Sequence, residues 1–459
     1  MEPAARGDTG SGATGSTAHR VRGVLAIPAF RRLWAVTAVC AVGDWLSLLA
    51  LSALATQLTS GYQAQSFALG AVVATKLLPS LLLGPLAGVL ADKLDRRHVM
   101  VVCDVLRAGL FLSIPLAGSL AWLFVATFFI EVCAMFWIPA KDASIPNLLR
   151  RPDQVETANQ LSLVMTYGVA VLTASALFSV LSAGPALDGI GLLPTATSSA
   201  YVALTLNGLA YAVCALVVAT RIPEISGRSE VAHGPTPGVL AMLRDGFAFV
   251  GGTALVRGLV LGIVGAFAAG GAVIACAKLY AVSLGGGDAA YGLLFASMFT
   301  GLGLGMALAP QAARRVRHRR LFGLAIVAAG LALVPVALAP HLWFALLAVS
   351  LVGCGAGVAF LTGLTIIGSQ VADSHRGRTI AFVQSVVRID LLASLALVPL
   401  VVGLVGQRTL TVFGATVIVD GTRPVLLGAG VVAALVGLAA LRQMDDRGAA
   451  RSRRATDGT

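Results

Sequence analysis

Charged residues are scarce in this sequence of 459 residues: Asp, Glu, Lys and Arg make up only 12%, against 57% apolar residues. In a soluble domain about a quarter of the residues are charged. The deficit excludes an ordinary cytosolic enzyme and an intrinsically disordered chain. Aromatic residues are also few, at 6%, whereas glycines number 52. Since small residues let helices approach closely inside a bilayer, this composition indicates packed membrane-spanning helices.

Motifs for catalysis or metal binding are also lacking. The six cysteines are scattered through apolar runs without metal-site or C-x-x-C spacing. No nucleotide-binding loop, zinc-protease motif or serine-hydrolase arrangement is visible in the sequence. We therefore expect no disulfide framework, no metal, no cofactor and no enzymatic activity. The cysteines are expected to be small, buried apolar side chains.

Long apolar runs are abundant. Twelve segments, each with the roughly 20 residues that cross a bilayer, follow one another along the chain. We therefore predict an all-α membrane protein with 12 transmembrane helices. The segments cover 33–58, 66–90, 98–116, 119–139, 158–183, 198–220, 254–282, 289–312, 321–339, 342–369, 380–405 and 424–442.

The basic residues lie almost entirely on one side of these segments. With the N terminus placed inside, 26 of the 33 Lys and Arg residues fall inside, and only Arg408 and Arg423 fall outside. The remaining five lie in or at the ends of the segments (Lys76, Arg107, Arg257, Lys278 and Arg388). The positive-inside rule then predicts that both termini are cytoplasmic. This asymmetry explains the net charge of +12, so the expected partner is the lipid bilayer and not nucleic acid.

A polar stretch at 222–237 separates six segments from six. Gly84 and Gly88, at the end of the second segment, match Gly301 and Gly305 in the eighth at an offset of 217 residues. Two related halves of six helices are typical of transporters. The predicted units are a disordered cytoplasmic N-terminal tail at 1–23, an N-terminal bundle at 24–221, a linker at 222–253 with an amphipathic helix at 238–252, a C-terminal bundle at 254–442 and a cytoplasmic tail at 443–459.

The loop after the second segment carries a motif of glycines and charges: Gly84, Gly88, Asp92, Asp95, Arg96 and Arg97. It resembles the inner-loop signature of the major facilitator superfamily, at the same place between spans two and three. The resemblance implies two six-helix bundles and makes this loop an inner gating motif. Gly88 would let helices approach closely, and Asp92 would form charge-assisted bonds that break between states. Asp95 stands where the superfamily often has glycine.

Other residues resemble one branch, which contains macrolide-efflux and enterobactin-exporter-like proteins. They are the stretch at 30–34, Gly43-Asp44-Trp45, and Asp104 with Arg107. The stretches at 136–148 and 158–162 are similar to the transporter half of bacterial proteins in which a thymidylate kinase domain follows. The resemblance covers 24–442, and we expect no kinase domain here.

Two departures from this pattern bear on function. Exporters of the superfamily often carry Gly-Pro in span five, where this sequence reads Tyr167-Gly168 without proline. In the second half, Ala309 stands at the position of Asp92 and Ala313 at that of Arg96. The second half therefore lacks the acidic residue of an equivalent latch.

Ionisable residues inside the hydrocarbon region are costly, so each is a candidate functional residue. Asp44, near the middle of the first segment, is the first candidate for a proton-coupling site. The alternative is a static ion pair between Asp44 and Lys76, which lie at similar depth. Glu131 is a candidate for coupling or substrate contact, or else a hydrogen-bonded structural acid.

Two further pairs of charges lie within single segments. Arg388 and Asp390 are two residues apart and point to different sides of a helix, so they should not pair, and one of them is expected to face the cavity. Asp104 and Arg107 are three residues apart. We expect them to form a local salt bridge that supports the inner loop, with substrate contact as the alternative.

These features together predict a secondary transporter, monomeric and multi-pass, in the cell membrane. The preferred function is export of a small amphipathic compound in exchange for protons, by alternating access. One alternative is uptake or facilitated diffusion of a polar, nucleoside-like solute. Another, of a different class, is a membrane scaffold of the same fold that transports nothing.

Overall fold

The computed structural model describes residues 17–149, 151–183, 198–227, 254–370, 373–412 and 415–444. These residues are almost entirely helical. A π-helical turn at Met165–Val169 joins α6 to α7, and a 3-10 turn at Pro223–Ile225 follows α8. The helices are α1 (Thr17–Leu25), α2 (Pro28–Gln57), α3 (Tyr62–Lys93), α4 (Arg96–Ala117), α5 (Leu120–Leu148), α6 (Pro152–Val164), α7 (Ala170–Ser182), α8 (Ser199–Arg221), α9 (Ala254–Ser283), α10 (Gly287–Ala313), α11 (His318–Ala337), α12 (Leu342–Gln370), α13 (Asp373–Val405) and α14 (Thr422–Met444).

Each predicted apolar segment lies on one long helix, except 158–183, which covers parts of α6, the π turn and α7. Among the described residues, ten helices are long and apolar enough to cross a membrane, with α6 and α7 counted together. The other two long helices, α3 and α13, have 32 and 33 residues and pack against each other. A multi-pass helical membrane protein is therefore confirmed.

Local sequence signals set several helix boundaries. Pro28 and Pro152 stand in the first turns of α2 and α6, where the missing N–H costs nothing. Asp95 caps α4 by accepting a hydrogen bond from the backbone N–H of His98. Gly118 ends the same helix in the left-handed conformation, at φ 55°, which costs glycine little strain.

The helices pack as two groups in chain order, which we call the N-terminal bundle (α2–α8) and the C-terminal bundle (α9–α14). The crossing of α10 and α12 brings two backbones into contact. A Cβ added at Gly301 would overlap the backbone of Ser350, and one added at Gly305 would overlap that of Cys354. The repeated glycines noted in the sequence are therefore required by close helix packing in the C-terminal bundle.

The two bundles meet where α3 and α10 begin and where α7 and α13 end; we call this the closed end. At Gly70 an added Cβ would lie 3.2 Å from the carbonyl oxygen of Ala396. The Ser179 hydroxyl donates to the carbonyl oxygen of Ala289 at 3.1 Å. Small residues thus bring the bundles into backbone contact at this end.

A short β-hairpin between α13 and α14 departs from the all-helical prediction. Strand β1 (Arg408–Val412) pairs antiparallel with β2 (Ala415–Val419), with Thr409 opposite Ile418. Both strands are rich in β-branched residues, which favour extended backbone. The predicted amphipathic helix at 238–252 and most of both predicted tails lie outside the described residues.

Candidate functional site

Asp44 and Arg107 form an ion pair inside the N-terminal bundle. The Arg107 guanidinium, on α4, donates to Asp44 Oδ1 in the middle of α2. The Arg107 side chain is 1% exposed, whereas that of Asp44 is 46% exposed. The cation is therefore fixed in the bundle, and the carboxylate can be reached from outside the protein interior.

Tyr211, on α8, completes the environment of Asp44. Its hydroxyl donates to Asp44 Oδ1 at 2.6 Å, and the Arg107 guanidinium carbon lies 4.1 Å from its ring centroid. Phe111 stacks on the Tyr211 ring, with ring centroids 5.5 Å apart. The Asp44 carboxylate thus receives one charge-assisted and one neutral hydrogen bond from two other helices.

A close approach of α2 and α8 makes this arrangement possible. A Cβ added at Gly43 would overlap the side-chain oxygen of Asn207. The Asn207 amide donates to the carbonyl oxygen of Gly43 at 3.0 Å. Gly43 therefore allows α8 to bring Tyr211 within hydrogen-bonding distance of Asp44.

Lys76 pairs with Glu131 and not with Asp44. The Lys76 ammonium, on α3, contacts Glu131 Oε1 on α5, and the two side chains are 15% and 21% exposed. The predicted alternative of an Asp44–Lys76 pair is wrong. Depth along a helix could be counted from the sequence, but the rotation that turns α3 towards α5 could not.

Asp104 is buried without the predicted partner. It is 0% exposed, and neither carboxylate oxygen has a hydrogen-bond partner among the described residues. The expected Asp104–Arg107 salt bridge is wrong, because Arg107 reaches across to Asp44. The Trp137 indole lies beside Asp104, but its Nε1 makes no hydrogen bond within the described ranges.

The inner-loop motif is bound to the end of α8 and to the segment that follows it. Asp95 accepts hydrogen bonds from the Ser226 hydroxyl at 2.6 Å and from the backbone N–H of Gly227 at 2.8 Å. Burial acts to raise the pKa of Asp95, but the hydrogen bonds from Ser226, His98 and Gly227 hold that pKa well below its usual range.

The basic residues of this motif extend the same attachment. The Arg97 guanidinium donates to the carbonyl oxygens of Val218 and Ala219, near the C terminus of α8. Arg96 is buried, and its backbone N–H donates to the carbonyl oxygen of Gly227. Gly84, Gly88 and Asp92 lie on the last turns of α3, and the position of the Asp92 side chain is outside the described part of the chain.

The π-helical turn occupies the place where exporters often carry Gly-Pro. It spans Met165–Val169, and the Trp45 indole donates to the carbonyl oxygen of Thr166 at 2.8 Å. Trp45 also contacts Phe299 of the C-terminal bundle edge to face, with ring centroids 5.2 Å apart. A π turn frees carbonyl groups from the helix ladder and is frequent at functional sites.

A polar network joins the two bundles at the closed end. Lys278 on α9 forms an ion pair with Asp288 on α10, and its side chain is only 5% exposed. The Gln57 amide, at the end of α2, donates to Asp288 at 3.1 Å. The Ser198 hydroxyl donates to Gln57 at 2.6 Å. The four residues link the end of α2 and the start of α8 in the N-terminal bundle to α9 and α10 in the C-terminal bundle.

Arg388 and Asp390 lie near the middle of α13. One carboxylate oxygen of Asp390 is buried and has no hydrogen-bond partner in the described ranges. The Arg388 side chain is outside the described residues, so the expectation that these two do not pair stays a prediction.

Comparison with known proteins fits this geometry. Residues 23–455 match the family model described as transmembrane secretion effector, a branch of the major facilitator superfamily. The chain belongs to this family. Members of this family are membrane transporters and not enzymes.

An uncharacterised transporter of this superfamily from Bacillus subtilis (strain 168), YfiS, is 30% identical over 117 residues. That alignment covers 25% of this chain, and the chain spans about a quarter (27%) of the length of that relative. The relative supports the superfamily, but only over a short stretch.

Solved structures resemble the transporter over nearly its whole length. A bacterial homologue of the human lysosomal transporter Spinster, in an inward-facing and unoccupied conformation, has a TM-score of 0.67 at 17% identity, covering 94% of this chain and 98% of that one. The nucleoside transporter NupG has a TM-score of 0.59 at 15% identity, covering 94% and 100%. Identities this low show the fold alone.

Some residues of this site could be predicted from the sequence, and others could not. The cost of intramembrane charge singled out Asp44, Lys76, Glu131 and Arg107. Tyr211, Gln57 and Asp288 were missed, because an uncharged residue or one at a segment end carries no such signal. Lys278 was visible as an intramembrane cation, but its partner on the next helix was not.

Proposed function

We propose that this transporter exports a small amphipathic compound in exchange for protons, by alternating access in the cell membrane and as a monomer. The observation that carries the proposal is Asp44. Its carboxylate lies in the middle of a membrane-spanning helix, is 46% exposed, and is held by a cation that is almost completely buried. An ionisable residue inside a membrane-spanning segment is a candidate member of a proton relay, and the exposure of this carboxylate makes it accessible.

Protonation of Asp44 would change how the helices are held together. In the ionised state, Asp44 ties α2 to Arg107 on α4 and to Tyr211 on α8. A neutral carboxyl accepts weaker hydrogen bonds than a carboxylate, because the charge-assisted part is lost. Proton occupancy is therefore linked to the packing of α2 against its neighbours, which is what coupling requires.

Apolar and charged groups occur together around the proposed substrate route. Trp45 and Phe299 present aromatic surface from both bundles. The partly exposed Lys76–Glu131 pair and Asp44 supply charge in the same bundle. Sites lined by aromatic side chains with a few polar groups bind ligands that have both an apolar body and a polar head.

The closed end is proposed to face outwards. The basic loops, including that with Arg96 and Arg97 and that with Arg314–Arg320, lie at the opposite end and are expected in the cytoplasm. This state would then be inward-facing. The bundles 24–221 and 254–442 would rock about the central site to open the other side.

The test uses purified protein in proteoliposomes. A screen of amphipathic compounds by thermal stabilisation selects a ligand, whose pH-driven efflux is then measured. We expect Asp44→Asn to lower efflux by about tenfold or more, within the usual range of coupling between sites. Glu131→Gln, which leaves Lys76 without its anion, should also lower efflux.

Asp153→Asn is the matched control, because Asp153 is 59% exposed in a surface pair with Arg151. Efflux at the full rate in both test variants, and without a pH gradient, would exclude proton coupling. Downhill movement in either direction would favour facilitated diffusion or uptake of a polar, nucleoside-like solute. The absence of any stabilising ligand would favour a scaffold.

A further inference from the structure

The buried carboxylate of Asp104 is not accounted for by the transport site described above. It is 0% exposed, and both of its oxygens are without hydrogen-bond partners among the residues described. The Nε–H of Arg107 is likewise buried and without an acceptor in that part of the chain. Buried polar groups are nearly always hydrogen-bonded, so a buried acceptor and a buried donor that both lack partners in one cluster require an explanation.

The two groups are on the same face of one helix. Asp104 and Arg107 are three residues apart on α4, a spacing that allows their side chains to meet. In this structure Arg107 instead donates to Asp44 on α2. One guanidinium therefore lies between two carboxylates and hydrogen-bonds to only one of them.

The surrounding groups provide no substitute cation. The polar and titratable side chains that face this cluster come from α2, α4, α5 and α8. Among those in the described ranges, Arg107 is the only basic one. They are Cys40, Asp44, Cys103, Asp104, Arg107, Cys133, Trp137, Tyr211 and Cys214. With both carboxylates ionised, the cluster has one negative charge in excess.

We propose that Asp104 is the second acceptor for Arg107, and that Arg107 moves from Asp44 to Asp104 when Asp44 takes up a proton. The step adds one proton from the cavity to an Asp44 oxygen, and Arg107 keeps its own protons. The cluster then becomes neutral, with Arg107 and Asp104 paired within α4. Asp104 is a positioning residue, since it acts on Asp44 only through Arg107.

This exchange would release α2 from α4. In the present state the guanidinium joins the two helices, whereas after the exchange both partners belong to α4. The hydrogen bonds from Tyr211 and Asn207 would still hold α2 to α8. The inference rests on the proposed proton coupling and specifies which contact the proton breaks.

The first test is a double-mutant cycle on the thermal stability of the purified full-length protein. Asp44→Asn leaves Asp104 as an acceptor, and Asp104→Asn leaves Asp44. Each single variant should therefore keep a carboxylate for Arg107. The double variant leaves the buried Arg107 guanidinium without either carboxylate. Its loss of Tm should therefore exceed the sum of the single losses by at least about 5 °C.

The matched control cycle combines Asp44→Asn with Asp153→Asn, whose exposed carboxylate is remote from the cluster. These losses should add. Additive losses in the Asp44 and Asp104 cycle as well would overturn the proposal. If the double variant cannot be purified, the second measurement decides.

The second measurement uses Trp137 as a reporter of Asp104. The other four tryptophans (Trp34, Trp45, Trp122 and Trp343) are replaced by phenylalanine. We expect Trp137 emission to change with pH as Asp44 takes up a proton and Arg107 reaches Asp104. Asp44→Asn should fix the emission at its low-pH value, and Asp104→Asn should abolish the transition.

A purely structural Asp104 would leave the pH transition unchanged in Asp44→Asn, which would overturn the exchange. Neither measurement requires transport. A pH-dependent exchange without proton-driven efflux would therefore reject the proposed function and keep the exchange. If efflux depends on Asp44, but the Asp44 and Asp104 cycle is additive and Trp137 emission does not change with pH, the proposed function is kept and the exchange is overturned.

Discussion

Single charged residues show most clearly what the sequence could predict and what it could not. Asp44 could be identified as a candidate from the sequence, because a carboxylate inside a membrane has a high free-energy cost and therefore marks a functional site. Its partner could not. Lys76 and Arg107 were both intramembrane cations, and only the rotation of α3 and α4 decides that Arg107 faces Asp44.

Asp95 leads to a prediction about acid stability. Hydrogen bonds to its carboxylate hold its pKa below the usual range in the folded protein. A depressed pKa stabilises the fold at pH values above the unfolded-state pKa of about 3.9, and that stabilisation is lost as the pH falls towards the folded-state pKa. Asp95→Asn should therefore lower Tm at neutral pH and flatten the fall of Tm below about pH 4.

Asparagine still caps a helix well, so this variant removes the charge and keeps the cap. Asp95→Ala removes both and should cost about 1 kcal/mol more. Asp153→Asn again serves as the exposed control. Wild-type and Asp95→Asn curves that run parallel from pH 7 to pH 3 would show that the Asp95 charge does not stabilise the fold.

At the scale of single elements, the helices were predictable and the exceptions were not. Apolar runs of 19 to 29 residues in the sequence placed every long helix. The hairpin at 408–419 lies between two predicted apolar segments, and its β-branched residues are the only sequence signal for it. The π turn at Met165–Val169 has no sequence signature, since it depends on the hydrogen-bond ladder of the helix.

The crossing of α10 and α12 gives a prediction with a control on the same helix. Gly301→Ala would place a methyl group against the backbone atoms of Ser350. Unlike the end of a side chain, these atoms cannot rotate away. We expect a clear loss of thermal stability, of about 1 to 3 kcal/mol for overpacking. The measurement is the Tm of the purified protein with a bound fluorescent thiol probe or by light scattering.

Gly303 is two residues away on α10, and an added Cβ there meets nothing within 4 Å. Gly303→Ala should therefore be neutral or slightly stabilising, because alanine favours helix more than glycine does. Equal effects at Gly301 and Gly303 would mean that the two backbones are not in contact.

For the molecule as a whole, the network at the closed end should control the balance between states. Asp288→Asn removes the anion that Lys278 and Gln57 share. We expect it to shift the population towards opening of this end, because Lys278 without its anion is buried in the closed state, and opening would let water reach it. Spin labels at Ser60→Cys and His341→Cys, in a cysteine-free background, report the separation of the bundles.

The expected result is a larger fraction of long label-to-label distances in Asp288→Asn than in the parent. Asp142→Asn is the control, since Asp142 is 58% exposed in a pair with Lys141 at the opposite end of the N-terminal bundle. An unchanged distance distribution in Asp288→Asn would show that this network does not hold the end closed.

The two-bundle arrangement could be expected from the polar stretch at 222–237 and the repeated glycines. The state of the molecule could not, because nothing in the sequence says which end is closed. Contacts such as Ser179 to Ala289 join residues 110 positions apart. They depend on how the bundles are tilted and not on any local pattern.

The glycine crossing also has a mechanical consequence. Because α10 and α12 touch through their backbones, few side chains at the contact can rearrange to absorb a displacement. The 27 residues of α10 form a rod about 40 Å long. Asp288 lies at its start, and the arginine-rich loop follows its end. We therefore expect α10 and α12 to move as one rigid unit, so that a displacement at the Asp288 end is transmitted to the opposite face of the membrane.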